Sequence, residues 1–369
     1  MKTNTRDAIG SDATQLVSIQ WLRAIAALLV VIFHALYYAN MLTGQFGQPA
    51  IGMPGFSAWW FGFHIFFVVS GFIMIHTTRD FGAPGAPKRF LVRRIIRVVP
   101  LYWLLTIPLA IGALLAPHAF GITTNKYQYI ASSFFFIRAA RAGDDLRPLL
   151  SQGWTLDYEM FFYVAFALAM TLPRRWGVAA LTVVFAGLAL LGRHVSTNTP
   201  ILFTVTDDMI LEFLFGVYIG LAYEQGWRLP GWMAALAVLA GFIWVAPDPS
   251  GPTFLINGLP AALVVGGFVL GPRLNPSAGT RWLERIGDAS YSLYLTHTFV
   301  LRPYHDVWAK AVGDHLPVAF YLLSSVAIAI PLALMVYRYV ERPMTQVLRR
   351  RFVEHTTSAP AEAPVPATI

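Results

Sequence analysis

Apolar residues gather along the chain into ten long runs, separated by short polar or basic stretches. The runs fall near 16–38, 57–77, 95–117, 152–172, 176–192, 208–224, 229–246, 253–271, 287–301 and 317–337. About 20 residues of helix cross a hydrocarbon core of about 30 Å, so the pattern predicts ten helical spans. The runs at 176–192 and 287–301 are short and are read as tilted or partly interfacial. Pro100, Pro108, Gly216, Pro260 and Pro331 interrupt several runs. A bundle tolerates them because neighbouring helices satisfy the freed backbone groups. Between the third and fourth runs, Asn125 to Ile137 carries Phe134, Phe135 and Phe136 and is too short to span. It reads as an amphipathic helix lying in the outer interface, with an ordinary loop as the alternative. The stretch from Thr356 to Ile369, rich in Ala and Pro, is predicted to be disordered. The expected fold is therefore all-α: one polytopic transmembrane domain over 1–345 and a tail over 346–369.

Composition removes the soluble alternative. Hydrophobic residues make up 56% of the 369 and charged residues 12%, with a mean hydropathy of +0.57. Soluble domains carry about 25% charged residues. The net charge of +8 does not argue for a nucleic-acid partner, because the basic residues lie beside the spans. With the amino terminus cytoplasmic, the segments on that side hold 19 Lys and Arg and the opposite loops hold 7, Arg23 lying inside the first span. That asymmetry predicts both termini in the cytoplasm. Met1 to Asp12 is polar and does not read as a cleaved leader. The chain has no cysteine, which excludes disulfides and thiolate chemistry.

Ionisable groups inside spans are expensive and mark function by default. Arg23 and His34 share the first run. Eleven residues at 100° bring them within about 20° of one face, separated by about 16 Å along the axis. One face thus presents a fixed positive charge in the inner half and an imidazole in the outer half. A structural Arg and His would give the same pattern. Glu159, in the fourth run, lies at a depth similar to His34. It could orient the imidazole, pair with Arg23 or another cation, or be a protonated structural acid. Asp157, nearer the boundary, reads as a solvated or helix-start residue. Lys88, Arg89, Arg93, Arg94 and Arg97 form a broad cationic face leading into the third run. Such a face anchors lipid headgroups or grips the phosphates of a nucleotide-bearing donor. In the second run, Phe67, Ser70 and Gly71 serve either tight helix packing or a channel for a slender ligand; the flanking His64 and His76 receive no role. In the ninth run, Ser290, Tyr291, Ser292, Tyr294 and His297 suggest a polar lining or a hydrogen-bonded seam. No set of His and carboxylates shares a face at ligand spacing, so no metal is expected.

In this order the motifs resemble the acyltransferase-3 family of integral membrane proteins. Arg23 and His34 match its Arg-x10-His element, Phe67 and Gly71 its Phe-x-x-x-Gly, and Arg94 and Arg97 its Arg-x-x-Arg. The segment around Trp154 and Glu159, the run ending at His297, and Glu341-Arg342-Pro343 also fit. The resemblance covers about residues 18 to 345 and is strongest to bacterial exopolysaccharide O-acetyltransferases of the succinoglycan or xanthan type. The chain is expected to act without an appended periplasmic esterase-like domain.

The resemblance implies a catalytic His34 and an acyl-CoA site at Arg94 and Arg97. Donor phosphates would rest near Arg93, Arg94 and Arg97, and the acyl-bearing arm would pass Phe67, Ser70 and Gly71. Glu159 and Arg23 would assist His34. The acceptor would meet Trp154, Tyr158, Tyr291, Ser292 and His297. The expected activity is O-acetyl transfer from cytoplasmic acetyl-CoA to a sugar hydroxyl of a lipid-linked or nascent polysaccharide, at the bacterial inner membrane. Membrane lipids and the polysaccharide biosynthesis machinery are the other expected partners. Succinyl-CoA as donor, a flippase of lipid-linked glycans, and a passive scaffold are the alternatives. A scaffold leaves the buried Arg and Glu unexplained, and a flippase has no use for a CoA site.

Overall fold

Each of the ten apolar runs carries a helix over its described part in the computed structural model, which describes residues 5–51, 61–122, 125–141, 145–196, 198–245, 251–275 and 277–353, with side chains from Val17 onward. Among these residues there is no strand. The helices are α1 (Thr5–Gln45), α2 (Gly62–Thr77), α3 (Ala86–Leu115), α4 (Lys126–Phe134), α5 (Trp154–Ala169), α6 (Arg174–Gly192), α7 (Pro200–Thr206) and α8 (Ile210–Glu224). They continue as α9 (Gly231–Trp244), α10 (Leu259–Leu270), α11 (Arg281–Asp288), α12 (Ser290–Ala311), α13 (Val318–Val336) and α14 (Arg342–Phe352). By length and composition four stretches can cross a membrane: Val17–Gln45, Ala86–Leu115, Arg174–Gly192 and Val318–Phe352. Gly62–Thr77, Gly231–Trp244 and Phe254–Leu270 are apolar but shorter.

α14 continues α13 through a π turn at Tyr337–Glu341, so helix crosses residue 345, where the sequence reading ends the domain. The expectation of a disordered 356–369 lies outside the described residues. The segment read as an interfacial helix is α4. Asn125 caps it, its Oδ1 accepting from the Tyr127 and Gln128 amides at 3.1 and 3.4 Å. Tyr127 and Phe135 remain exposed.

The core is aromatic. Phe162 of α5 stacks on Phe213 of α8 at 4.3 Å, and Phe67 of α2 meets Phe213 at 4.8 Å. α2 and α8 approach backbone to backbone. A Cβ on Gly71 would lie 2.0 Å from the Phe213 carbonyl oxygen, and one on Gly216 would lie 1.9 Å from that of Val68. Only glycine fits at either place. Gly71 is therefore a packing residue against α8. Outward positions carry bare apolar side chains such as Leu115, Val183, Ile243 and Leu323, the surface a bundle presents to lipid.

Candidate active site

Helices α1, α2, α3, α5 and α12 enclose about 720 Å³ of space, part of it continuous with solvent. Arg23, Arg94, Arg97, Glu159, Tyr291 and Tyr294 line it, with Phe67 and Ser70 on the α2 wall. The sequence spaced Arg23 and the Arg94–Arg97 pair far apart; the fold brings all three guanidiniums to one cavity. Among the described residues none has a carboxylate within 4.0 Å. Arg23 donates to Gln20 Oε1 at 3.1 Å. Arg94 donates to Thr77 Oγ1 at 3.3 Å and lies over the Phe90 and Tyr163 rings at 5.4 and 5.9 Å.

Glu159 faces this cavity and accepts from Ser70 Oγ at 3.3 Å and from the Tyr163 hydroxyl. These hydrogen bonds are its partners, and the His34 ring has others. Tyr291 donates to the Val98 carbonyl at 2.7 Å, tying α12 to α3. Tyr294 donates to the Gln152 carbonyl at 3.0 Å and lies 2.7 Å from the Thr155 hydroxyl.

Beyond Tyr294 the lining gives way to two imidazoles. Tyr294 and His297 have ring centroids 6.2 Å apart, and His297 and His34 have centroids 4.8 Å apart. His34 itself lies outside the cavity lining and is half-buried; His297 is fully buried. His34 Nδ1 stands 2.9 Å from the Val30 carbonyl, and His297 Nδ1 stands 3.1 Å from that of Leu293. A carbonyl can only accept, so each Nδ1 carries its proton and each neutral ring keeps its lone pair on Nε2. His297 Nε2 is buried and has no hydrogen-bond partner.

The remaining predicted residues sit elsewhere. Arg93 is exposed and outside the lining. Ser292 donates to Glu341, which ends the π turn after α13. The Trp154 ring packs edge-on against Phe63 at 5.0 Å. Tyr158 donates to Asp207 Oδ2 at 2.7 Å and accepts from Arg138 Nη1 at 3.3 Å.

Sequence reasoning missed the centre that holds Tyr158. Asp157, read as solvated, is 4% exposed and pairs with Arg138 at 3.5 Å, although it does lie in the first turn of α5. Arg138 also donates to the Trp154 carbonyl at 3.1 Å and lies over the Tyr158 ring at 4.9 Å. His64, which received no role, is buried with its Nδ1 2.7 Å from Glu212 Oε1. His76, also without one, stacks on Phe72 at 5.3 Å. The pairing rule for intramembrane charges was the one signal available, and it names no partner across 148 positions of sequence.

On the α5 side, Arg141 and Arg147 share one acid, Asp145. Burial alone would raise that carboxyl, but hydrogen bonds from Arg147 and Arg141 outweigh it and hold it at about 2. The same bond raises Arg147. Tyr129 donates to the Arg147 carbonyl at 2.7 Å, so α4 fixes this loop, and the Arg147 charge reaches both His34 and Tyr37. Among the described residues no three His, Asp or Glu converge as metal ligands.

Comparison with known proteins agrees with these motifs. Residues 16–334 match the acyltransferase-3 family, described as an acyltransferase domain. The exopolysaccharide production protein ExoZ of Rhizobium meliloti (strain 1021) is 34% identical, over 79% of this chain and 91% of its own. Acyltransferase MdmB of Streptomyces mycarofaciens is 26% identical, over 95% of this chain and 97% of its own. No solved structure matches. A family match across most of the chain, over the helices that carry the arginine cavity and the histidine pair, assigns this all-helical protein to the acyltransferase-3 family and makes it an acyltransferase.

Proposed function

We propose that the chain is a transmembrane O-acetyltransferase that takes acetyl from cytoplasmic acetyl-CoA and gives it to a hydroxyl of an exopolysaccharide sugar. The observation that carries this is the connection of two features: an arginine-lined cavity and, joined to its Tyr294 through the His297 ring, the His34 imidazole, whose Nδ1 is engaged by the Val30 carbonyl. Ten spans with both termini in the cytoplasm of the inner membrane would put the arginines toward the donor and His34 toward a lipid-linked or nascent acceptor. ExoZ, by its printed name an exopolysaccharide production protein, supports that acceptor class.

Donor phosphates would sit on Arg94 and Arg97, whose planar forks match phosphate oxygens. The acyl-bearing arm would run past Ser70, Tyr291 and Tyr294 toward His34. There Nε2 takes the proton of the sugar hydroxyl as its oxygen attacks the thioester carbonyl. The tetrahedral adduct collapses, the C–S bond breaks, and the proton passes from Nε2 to the departing CoA sulfur. Transient acetyl-imidazole formation at the same Nε2 gives the same products in two steps. Arg23 would steady the arm or the developing negative charge.

Proton NMR of host exopolysaccharide tests this in a strain lacking the chain. Wild type restores O-acetyl signals; His34→Ala, expressed at equal level and eluting as a folded particle, lowers the rate by about 10²–10⁴ and leaves no signal, as loss of a positioned base requires. Normal acetylation with His34→Ala removes the imidazole from the chemistry. A purified wild-type protein whose melting temperature does not move at saturating acetyl-CoA removes the donor and points to glycan transport, because a ligand of the folded state must stabilise it.

A further inference from the structure

Two imidazoles meet across the seam between α1 and α12, and each is held in the same way. His34 and His297 both turn Nδ1 back to the carbonyl four residues earlier on their own helix, Val30 at 2.9 Å and Leu293 at 3.1 Å. Both rings therefore carry the Nδ1 proton and keep a lone pair on Nε2. Their centroids are 4.8 Å apart and their planes are inclined at 56°. His297 Nε2 is buried and has no hydrogen-bond partner. A buried acceptor without a donor is costly, and its presence asks for an explanation.

The resting pair supplies no donor, because two lone pairs do not bond each other. The seam around the rings is apolar, built from Ala27, Val31, Leu293 and Val300. The Tyr294 ring is 6.2 Å from that of His297, but its hydroxyl is engaged by the Gln152 carbonyl and by Thr155. Among the described residues no carboxylate lies within 4.0 Å of either imidazole. The charged group whose field reaches His34 is Arg147, itself a cation. A donor therefore arises at one moment only, when His34 Nε2 takes up a proton. The new N–H then has one acceptor beside it, on the neighbouring ring.

We propose that His297 is a positioning residue for acetyl transfer: it accepts the N–H that His34 gains from the sugar hydroxyl, so that the two rings hold one proton between them. The inference rests on the O-acetyltransferase reading above and adds one residue to the path of the proton. The hydroxyl O–H bond breaks and an N–H bond forms at His34 Nε2. That N–H donates to His297 Nε2. When the C–S bond breaks, the proton leaves the pair for the CoA sulfur and both lone pairs return. A second proton would set two positive rings in contact in an apolar seam, so the pair holds one. A role in packing alone leaves the empty Nε2 of His297 without a purpose.

The test measures acetyl transfer by the full chain in nanodiscs, from acetyl-CoA to host exopolysaccharide stripped of its acetyl groups by alkali. His297→Leu keeps the bulk and removes the lone pair. It should lower kcat roughly 10- to 100-fold, the loss of a hydrogen bond to a charged group, with the KM for acetyl-CoA unchanged. The melting temperature should hold, because the Nε2 removed has no partner to lose. His297→Gln, which offers an acceptor oxygen, should recover most of kcat. His34→Ala with His297→Leu should be no slower than His34→Ala alone, since a residue that acts through His34 has nothing to act on without it. In wild type labelled with 15N-histidine, the Nε2 signals of the two rings should shift together on acidification, a reading that needs no variant to fold. The proposal is overturned by an unchanged kcat in His297→Leu, by a loss that merely follows a fallen melting temperature, by a loss that Gln does not relieve, by additive losses in the double variant, or by Nε2 signals that shift separately. A wild type that transfers no acetyl takes down the O-acetyltransferase reading and this one together, whereas failure of the His297 tests alone leaves the former standing.

Discussion

Two sets of arginines inside this bundle are held in opposite ways. Arg138 is buried and saturated: a carboxylate at 3.5 Å, a phenol oxygen, a backbone carbonyl and an aromatic face surround it. Arg94 and Arg97 have the same side chain but are only partly buried, in the wall of a cavity, and no carboxylate of the described residues lies within 4.0 Å of them. A buried ion pair owes its low energy to its partners and gains nothing from a ligand. A cation that the fold leaves without a counter-charge has kept its interaction free energy for something that arrives later. The contrast separates an arginine that builds the protein from arginines that wait for an anion.

That distinction can be broken most sharply at Arg138. Arg138→Ala leaves Asp157 buried and alone, and should cost about 3–5 kcal/mol. Thermal unfolding in detergent reads this, and Arg138→Ala with Asp157→Asn should recover much of the loss. A melting temperature within 1–2 °C of wild type, roughly the reach of a surface substitution, would mean that Arg138 is not a structural pillar. Arg97→Ala should behave in the reverse manner. Ligand-free stability should hold or rise slightly as repulsion is relieved, while CoA affinity falls by about 10- to 100-fold, the loss of one or two charge-assisted hydrogen bonds. If instead it unfolds the protein as Arg138→Ala does, the division between the two sets fails.

The smallest effect lies in the loop before α5, where Arg141 and Arg147 divide one carboxylate. Asp145 is depressed in the folded chain, so its contribution is present above the unfolded carboxyl value near 4 and is lost as pH falls through about 2. Amide-exchange protection factors in residues 145–150 should therefore be level from pH 7 to pH 5 and fall below about 4. Asp145→Asn should give the lowered protection at every pH, without moving the global melting temperature. Level protection down to pH 2 would show that Tyr129 and its hydrogen bond to the Arg147 carbonyl hold the loop alone.

Much of the architecture was legible because it depends on local composition. Each apolar run is a helix, since an unbroken apolar stretch in lipid has no other way to satisfy its backbone. The arginine spacing at 94 and 97 and the Tyr291–Tyr294 spacing also survive as neighbouring positions on one helix face each. What could not be read was the third dimension. Gly71 matched either a channel or a packing contact, and the choice depends on Gly216, 145 positions away by number and opposite it in space. Glu159 had three roles on paper, as orienter of the imidazole, partner of Arg23 or another cation, or protonated structural acid, and the hydroxyls that reach it, Ser70 and Tyr163, could not be named from spacing. His34 matched a carboxylate-oriented base, whereas its Nδ1 turns back to its own helix at Val30.

The interlocked glycines of α2 and α8 carry a mechanical consequence. With Gly71 against Phe213 and Gly216 against Val68, neither helix can slide or roll past the other without main-chain collision. The pair is a stiff strut along one flank of the cavity. Any widening of the cavity must then be borne by the opposite flank, where single hydroxyls bridge α12 to α3 and α5 through Tyr291 and Tyr294. Those phenols are hinge pins that can be withdrawn one bond at a time, and the protein breathes, on this geometry, from one side only.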